Sequence, residues 1–187
     1  MLVSIRKLRL PEDASLVLSL NTSFTTSKTY QIESRADGFS LNEVNDYITK
    51  TYSFDLQSDE FHASNCCAMV AENGMTIIGV CSVEFQHWNR RAILHHLYVD
   101  VDHRGIGAGK LLLDASVVWA AESGARCLWV ETQNINHSAI QFYTRHGFQL
   151  CGCDTSLYDP DTVLAGETAL YFSLSLPYLP QQLGAIL

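Results

Sequence analysis

Residues 104–110 read Arg-Gly-Ile-Gly-Ala-Gly-Lys, with glycine at 105, 107 and 109, and a helix-forming run, KLLLDASVVWAAES, begins at Lys110. Glycine beside or inside a helix costs about 1 kcal/mol relative to alanine, so the backbone itself is the expected working part. Small residues let main-chain N–H groups close on an anion. The start of the helix adds about half a positive charge, and Arg104 and Lys110 add full ones. This chemistry suits a phosphate or diphosphate. Two familiar phosphate motifs do not fit. A P-loop needs glycine where Arg104 stands and Ser or Thr where Leu111 follows Lys110. A dinucleotide fingerprint needs its third glycine where Lys110 stands.

A second group of reactive residues lies just upstream and downstream. His95 and His96 are adjacent in a strand-like run, and Glu131 ends another. A histidine with an intrinsic pKa near 6.5 can accept a proton at neutral pH. Successive side chains on a strand point to opposite faces, so His96 is expected to turn away from His95. On that ground the pair is not read as a metal site. None of the six cysteines forms CxxC, and no Cys/His group has zinc-like spacing. The cysteines are expected as reduced thiols of a cytoplasmic protein.

The elements that must position these residues can be read from patterning. LVSIRKLRL alternates apolar and charged positions as a first strand, and PEDASLVLSLN has helical spacing. Residues 22–40 read as a long loop, with a short helix near 41–49. CCAMVAENGMTIIGVCSVEF predicts a hairpin turning at Asn73-Gly74, and RRAILHHLYVDV a further strand. After the glycine segment and its helix come the strand ARCLWVETQ and the helix HSAIQFYTRH, with Asn136 as N-cap and Gly147 at its end. FQLCGCDTSLY and ETALYFSLSL close the series. The expected class is α+β in α/β/α layers: a mixed, mostly antiparallel sheet with helices on both faces.

Composition bounds the function. With 47% hydrophobic and 17% charged residues, the 187-residue chain is globular and long enough for one well-buried domain. A net charge of −8 argues against nucleic acid as a general partner. Residues 33–60 hold seven acids (Glu33, Asp37, Glu43, Asp46, Asp55, Asp59, Glu60) against Arg35 and Lys50. That segment is either an ordinary solvated surface or an electrostatic mouth for a basic substrate. The N-terminus lacks the apolar core of a secretory signal, and no apolar run approaches the ~18 residues of a membrane span. No membrane partner is expected.

Arg104-Gly-Ile-Gly107-Ala-Gly109 satisfies the pattern [R/Q]xxGx[G/A], and Asn136-His-Ser-Ala139-Ile-Gln-Phe142-Tyr143-Thr-Arg-His-Gly147-Phe148 comes next at a fitting distance. On these two motifs the chain resembles the Gcn5-related N-acetyltransferase (GNAT) superfamily. The resemblance implies acetyl-CoA as cosubstrate, with no metal. Arg104, Gly105, Ile106, Gly107, Ala108, Gly109 and Lys110 would hold its pyrophosphate, the backbone of Leu97, Tyr98 and Val99 its pantetheine, and Asn136 its far side. Tyr143 would protonate the departing thiolate, with core packing as its other reading. An amine acceptor must lose a proton. Relatives commonly place a glutamate where this chain has His95, and Glu131 is the second candidate base, with His96, Glu84 or no single base also open.

VETQNINHSAIQFYTRHGFQLCGCDTSLYDPDTVLAGETALYF narrows the resemblance to streptothricin acetyltransferases, matching at Glu131–Gln133, Gly152, Asp154, Tyr158, Pro160 and Glu167–Tyr171. The implied reaction is acetyl transfer to a primary amine of a small cationic molecule, such as a streptothricin-like antibiotic, with a role in antibiotic resistance. Acetylation of a protein or peptide, or acyl-CoA binding without turnover, are the alternatives. The expected organisation is one domain over 1–187, with loops and a helix at 22–60 on the acceptor side and an acetyl-CoA-binding core at 95–146. Dimers are common in this superfamily, so a homodimer is an expectation of the resemblance.

Overall fold

A computed structural model describes residues 2–177. In chain order its elements are β1 (Val3–Lys7), α1 (Ala14–Leu18), β2 (Phe24–Arg35), β3 (Gly38–Lys50), α2 (Asp59–His62), β4 (Cys66–Asn73), β5 (Thr76–Gln86) and β6 (Arg91–Val99). They continue with a 3-10 turn (Val101–His103), α3 (Ala108–Glu122), β7 (Cys127–Gln133), α4 (His137–Arg145), β8 (Gln149–Asp154) and β9 (Ala169–Ser175). The described residues fall into two compact units. One takes those within Met1–Thr22, Tyr52–Trp129 and Ser175–Leu187, the other Ser23–Thr51 and Val130–Leu174.

In the first unit the strand order is β1-β4-β5-β6, followed by the first residues of β7. The pairs β1–β4, β4–β5 and β5–β6 are antiparallel. β5 is buried from Ile77 to Val83, as expected of a central strand covered on both faces. Val80 joins Val17 of α1, Leu56, Phe61 of α2, Val70 and Ile77 in one apolar cluster. Its neighbour Cys81 turns to the other face, where its Sγ lies 3.5 Å from Ser116 Oγ of α3. Helices therefore cover both faces, as the patterning predicted. The Asn73-Gly74 turn, β6 and α3 also match their sequence expectations.

In the second unit the order is β7-β9-β8, and a separate two-stranded sheet pairs β2 with β3. The sheets as a whole are mixed and mostly antiparallel. The hairpin corrects the reading of 22–60 as loops and a helix: Phe24–Lys50 is a long antiparallel ribbon turning at residues 36–37. Leu41, Val44 and Ile48 have helical spacing. A register shift between Thr26 and Lys28 lets a strand carry that spacing, with Ile48 opposite Thr26 and Asn45 opposite Lys28. The β-branched and aromatic positions Thr25, Thr26, Thr29, Tyr30 and Ile32 favour the pleated state. The short helix lies later, at α2.

Candidate active site

β6 ends at Val99, and Asp100 fixes the turn beyond it. Its carboxylate accepts from the backbone N–H of Asn21 at 2.9 Å and of Asp102 at 3.0 Å. The chain then passes through Arg104 into two left-handed glycines, Gly105 at φ 80° and Gly107 at φ 92°. A side chain at either is strained by that φ, yet nothing lies within 4 Å of where a Cβ would sit. The conformation leaves open space beside the backbone. Gly107 is the N-cap of the 15-residue α3, which no side chain caps. An anion fits this arrangement, because the first N–H groups of a helix lack internal partners.

The charged members of the segment are exposed at the surface and have partners within the chain. Arg104 Nε donates to the Val99 carbonyl at 3.0 Å, and burial holds the guanidinium below its usual pKa. Lys110 Nζ is 2.5 Å from Asp114 on the next turn of α3. Ala108 is buried, Ile106 is exposed, and Gly109 lies in the first turn. Leu97, Tyr98 and Val99 form the end of β6, and the Tyr98 ring stacks on Phe54 at 5.3 Å.

The histidine pair does not diverge as strand alternation predicts. In the β5–β6 register Ser82 faces His96 and Val83 faces Leu94, so His95 is an extra, bulged residue. The bulge brings both rings to one carboxylate of α2. His96 Nε2 is 2.6 Å from Glu60 Oε2, and His95 Nδ1 is 3.3 Å from Glu60 Oε1. His95 Nε2 lies 2.8 Å from Glu84 Oε2 on β5. Burial lowers the pKa of His96 below its ordinary value, against the opposing pull of Glu60. Among the described residues, no group of three or more His, Cys, Asp and Glu is arranged to hold a metal ion.

In the second unit, Glu131 projects from β7 and accepts the Tyr158 hydroxyl. Burial raises its pKa, the Tyr158 bond opposes this, and Glu167 adds to the rise. Lys50 of β3 pairs with the fully buried Glu167 carboxylate. Asn136 caps α4, its Oδ1 accepting from Ala139 N–H at 3.1 Å. Tyr143 is 6% exposed, and its ring lies 5.4 Å from Phe148 and 6.5 Å from Phe172. Within the acidic segment, three of the acids make ion pairs. Glu43 pairs with Lys28 and His137, Glu33 with Arg35, and Glu60 with the two histidines.

Sequence reasoning missed Glu60 as a partner of His95 and Tyr158 as a partner of Glu131. Ser58-Asp59-Glu60 carries a helix-start signal that could have located α2. Nothing in the sequence signals the bulge that turns both histidines to it.

Comparisons with known proteins place the chain in a family. Residues 28–148 match the model of the acetyltransferase (GNAT) family. The chain is 36% identical to streptothricin acetyltransferase of Streptomyces lavendulae, over 89% of this chain and 92% of that one. It is 28% identical to the Escherichia coli streptothricin acetyltransferase over 87% and 91%. The crystal structure of nourseothricin acetyltransferase superposes with a TM-score of 0.83 at 36% identity, covering 95% of this chain and all of that one. A Bacillus anthracis structure assigned as a streptothricin acetyltransferase, in complex with acetyl coenzyme A, gives a TM-score of 0.80 at 25% identity, covering 95% of this chain and 100% of that one. Sequence motif, strand order and the match across most of the chain converge, and the protein is a member of the acetyltransferase (GNAT) family.

Proposed function

We propose that this acetyltransferase moves acetyl from acetyl-CoA to a primary amine of a small cationic molecule of the streptothricin type, in the cytosol, and so serves in antibiotic resistance. The observation that carries this is the loop at 104–110: two left-handed glycines beside open space, leading into a helix start without a side-chain cap. Acetyl-CoA, when bound, supplies a thioester. The loop N–H groups bind the pyrophosphate, the backbone of Leu97–Val99 orients the pantetheine, and Asn136 contacts the cofactor from α4. The overlap with relatives named for streptothricin supports the acceptor class, and a net charge of −8 suits a cation.

An ammonium with pKa near 10.4 lies about 3.4 units above neutral pH, equivalent to roughly 4.6 kcal/mol of barrier, so a proton acceptor is valuable. His95 and Glu131 are the two candidates. His95 is half-buried between carboxylates, and Glu131 is raised toward neutral pH by burial. Tyr143 protonates the departing sulfur.

Titration calorimetry of acetyl-CoA with Gly107→Asp tests the loop. The substitution strains a left-handed position and puts a negative charge in the cradle. Affinity is expected to fall about tenfold or more, equivalent to ~1.4 kcal/mol. Unchanged affinity would refute the loop as the cofactor's anchor.

A further inference from the structure

Two carboxylates flank the bulged histidine, and each is held by one oxygen while the other faces His95. Glu60 is held by His96, whose ring stacks on Phe61 at 4.9 Å and 10° and lies 5.7 Å from Phe54. His96 Nδ1 is buried without a partner, and burial favours the neutral ring. Its single proton therefore belongs on Nε2, which donates to Glu60 Oε2 at 2.6 Å. Ser82 Oγ donates to the Glu60 backbone carbonyl and ties α2 to β5. On the other side, Glu84 Oε1 accepts from Asn65 Nδ2 at 3.1 Å, and that amide also donates to the Phe85 carbonyl at 3.1 Å. The remaining oxygens, Glu60 Oε1 and Glu84 Oε2, stand 3.3 Å and 2.8 Å from the two nitrogens of His95.

We propose that His95 is the acceptor of the amine's proton, with Glu60 relaying that proton to it and Glu84 acting as a positioning residue for its ring. This rests on the reading of Leu97–Val99 as the pantetheine strand, which sets the reacting carbonyl near the adjoining His95.

A neutral imidazole donates from one nitrogen only, so one of the two carboxylates faces a lone pair. When a proton arrives, both nitrogens donate to acceptors already in place, and nothing must reorganise to receive the charge. The remaining charged groups in the cluster are few. Cys66 of β4 feels Glu84, Glu60 and Asp59, but its thiol is pushed up to about 11, chiefly by burial, and stays neutral. Asp59 is the other acid of α2, and His62 of that helix is turned to the Leu56 carbonyl at 2.7 Å.

In the reaction an N–H bond of the ammonium breaks, and its proton passes through the Glu60 carboxylate, 40% exposed, to His95. The freed nitrogen pair attacks the thioester carbon, the C–N bond forms and the C–S bond breaks. A second nitrogen proton goes to the departing thiolate. Amide, thiol and one proton result, and that proton leaves His95 by the same carboxylate to solvent.

The test compares Glu60→Gln and Glu84→Gln with the unaltered full chain, using acetyl-CoA and streptothricin. Both variants are expected to lower kcat about tenfold or more at neutral pH. KM for acetyl-CoA should hold, and the deficit should shrink as pH rises toward the pKa of the amine. A loss equal at every pH, or none, would overturn the proposal. In 15N-labelled protein without substrates, the His95 ring-nitrogen signals should move in both variants, and unmoved signals would also overturn it. Because this second readout needs no turnover, a wrongly assigned acceptor shows itself separately, as an inactive unaltered chain whose ring signals still respond.

Discussion

His96 shows how one side chain links stability to pH. Burial holds its folded pKa below the ordinary value of 6.5, so the unfolded chain binds the proton more readily. Stability from this group is complete above 6.5 and is lost as pH falls from 6.5 through the lower folded value. The unaltered protein should therefore lose thermal stability on acidification across that window, and His96→Gln should flatten that part of the Tm profile. An unchanged slope in the variant would assign the acid sensitivity elsewhere. The pair itself was visible in the sequence. Its geometry was not. Alternation predicts divergence, and only the one-residue register slip between Ser82 and Val83 turns both rings to Glu60. Glu131 was likewise visible as a candidate carboxylate, whereas Tyr158, 27 residues on, was legible only as a matched position and not as its partner.

Among elements, those defined by local chemistry were read well. Asn136 before an amphipathic run and Gly147 after it bound α4 as expected, and the glycine segment does lead from a strand into α3. The cap and the proposed cofactor contact of Asn136 can be separated. Asn136→Ala should cost about 1 kcal/mol by exposing the Ala139 N–H, whereas Asn136→Ser keeps a capping oxygen. Thermal unfolding should show a drop of a few degrees for alanine and little for serine, while both weaken acetyl-CoA binding. Serine binding acetyl-CoA as tightly as the unaltered chain would leave Asn136 a cap alone. The β2–β3 ribbon was misread because its stability is not local. Its strands pair across a two-residue turn and are anchored by contacts that spacing does not reveal. Asn134 Nδ2 donates to the Tyr30 carbonyl at 2.7 Å, Gln141 Nε2 to the Tyr30 hydroxyl at 2.9 Å, and the Tyr30 ring stacks on His137 at 5.5 Å. The Asp37-Gly38 dipeptide was the available turn signal.

For the molecule as a whole, family and reaction class were legible because the glycine segment at 104–110 is a contiguous motif. The acceptor was less so: pairs such as Glu131 with Tyr158, or Lys50 with Glu167, meet from distant parts of the sequence and form no contiguous motif. The most direct measurement is initial-rate release of free thiol from acetyl-CoA by the full chain, with streptothricin, simple polyamines and peptides offered in turn. Thiol release that requires the amine and is fastest with streptothricin is the predicted result. Faster release with polyamines or peptides, or no release above background with any amine, would contradict the proposed activity.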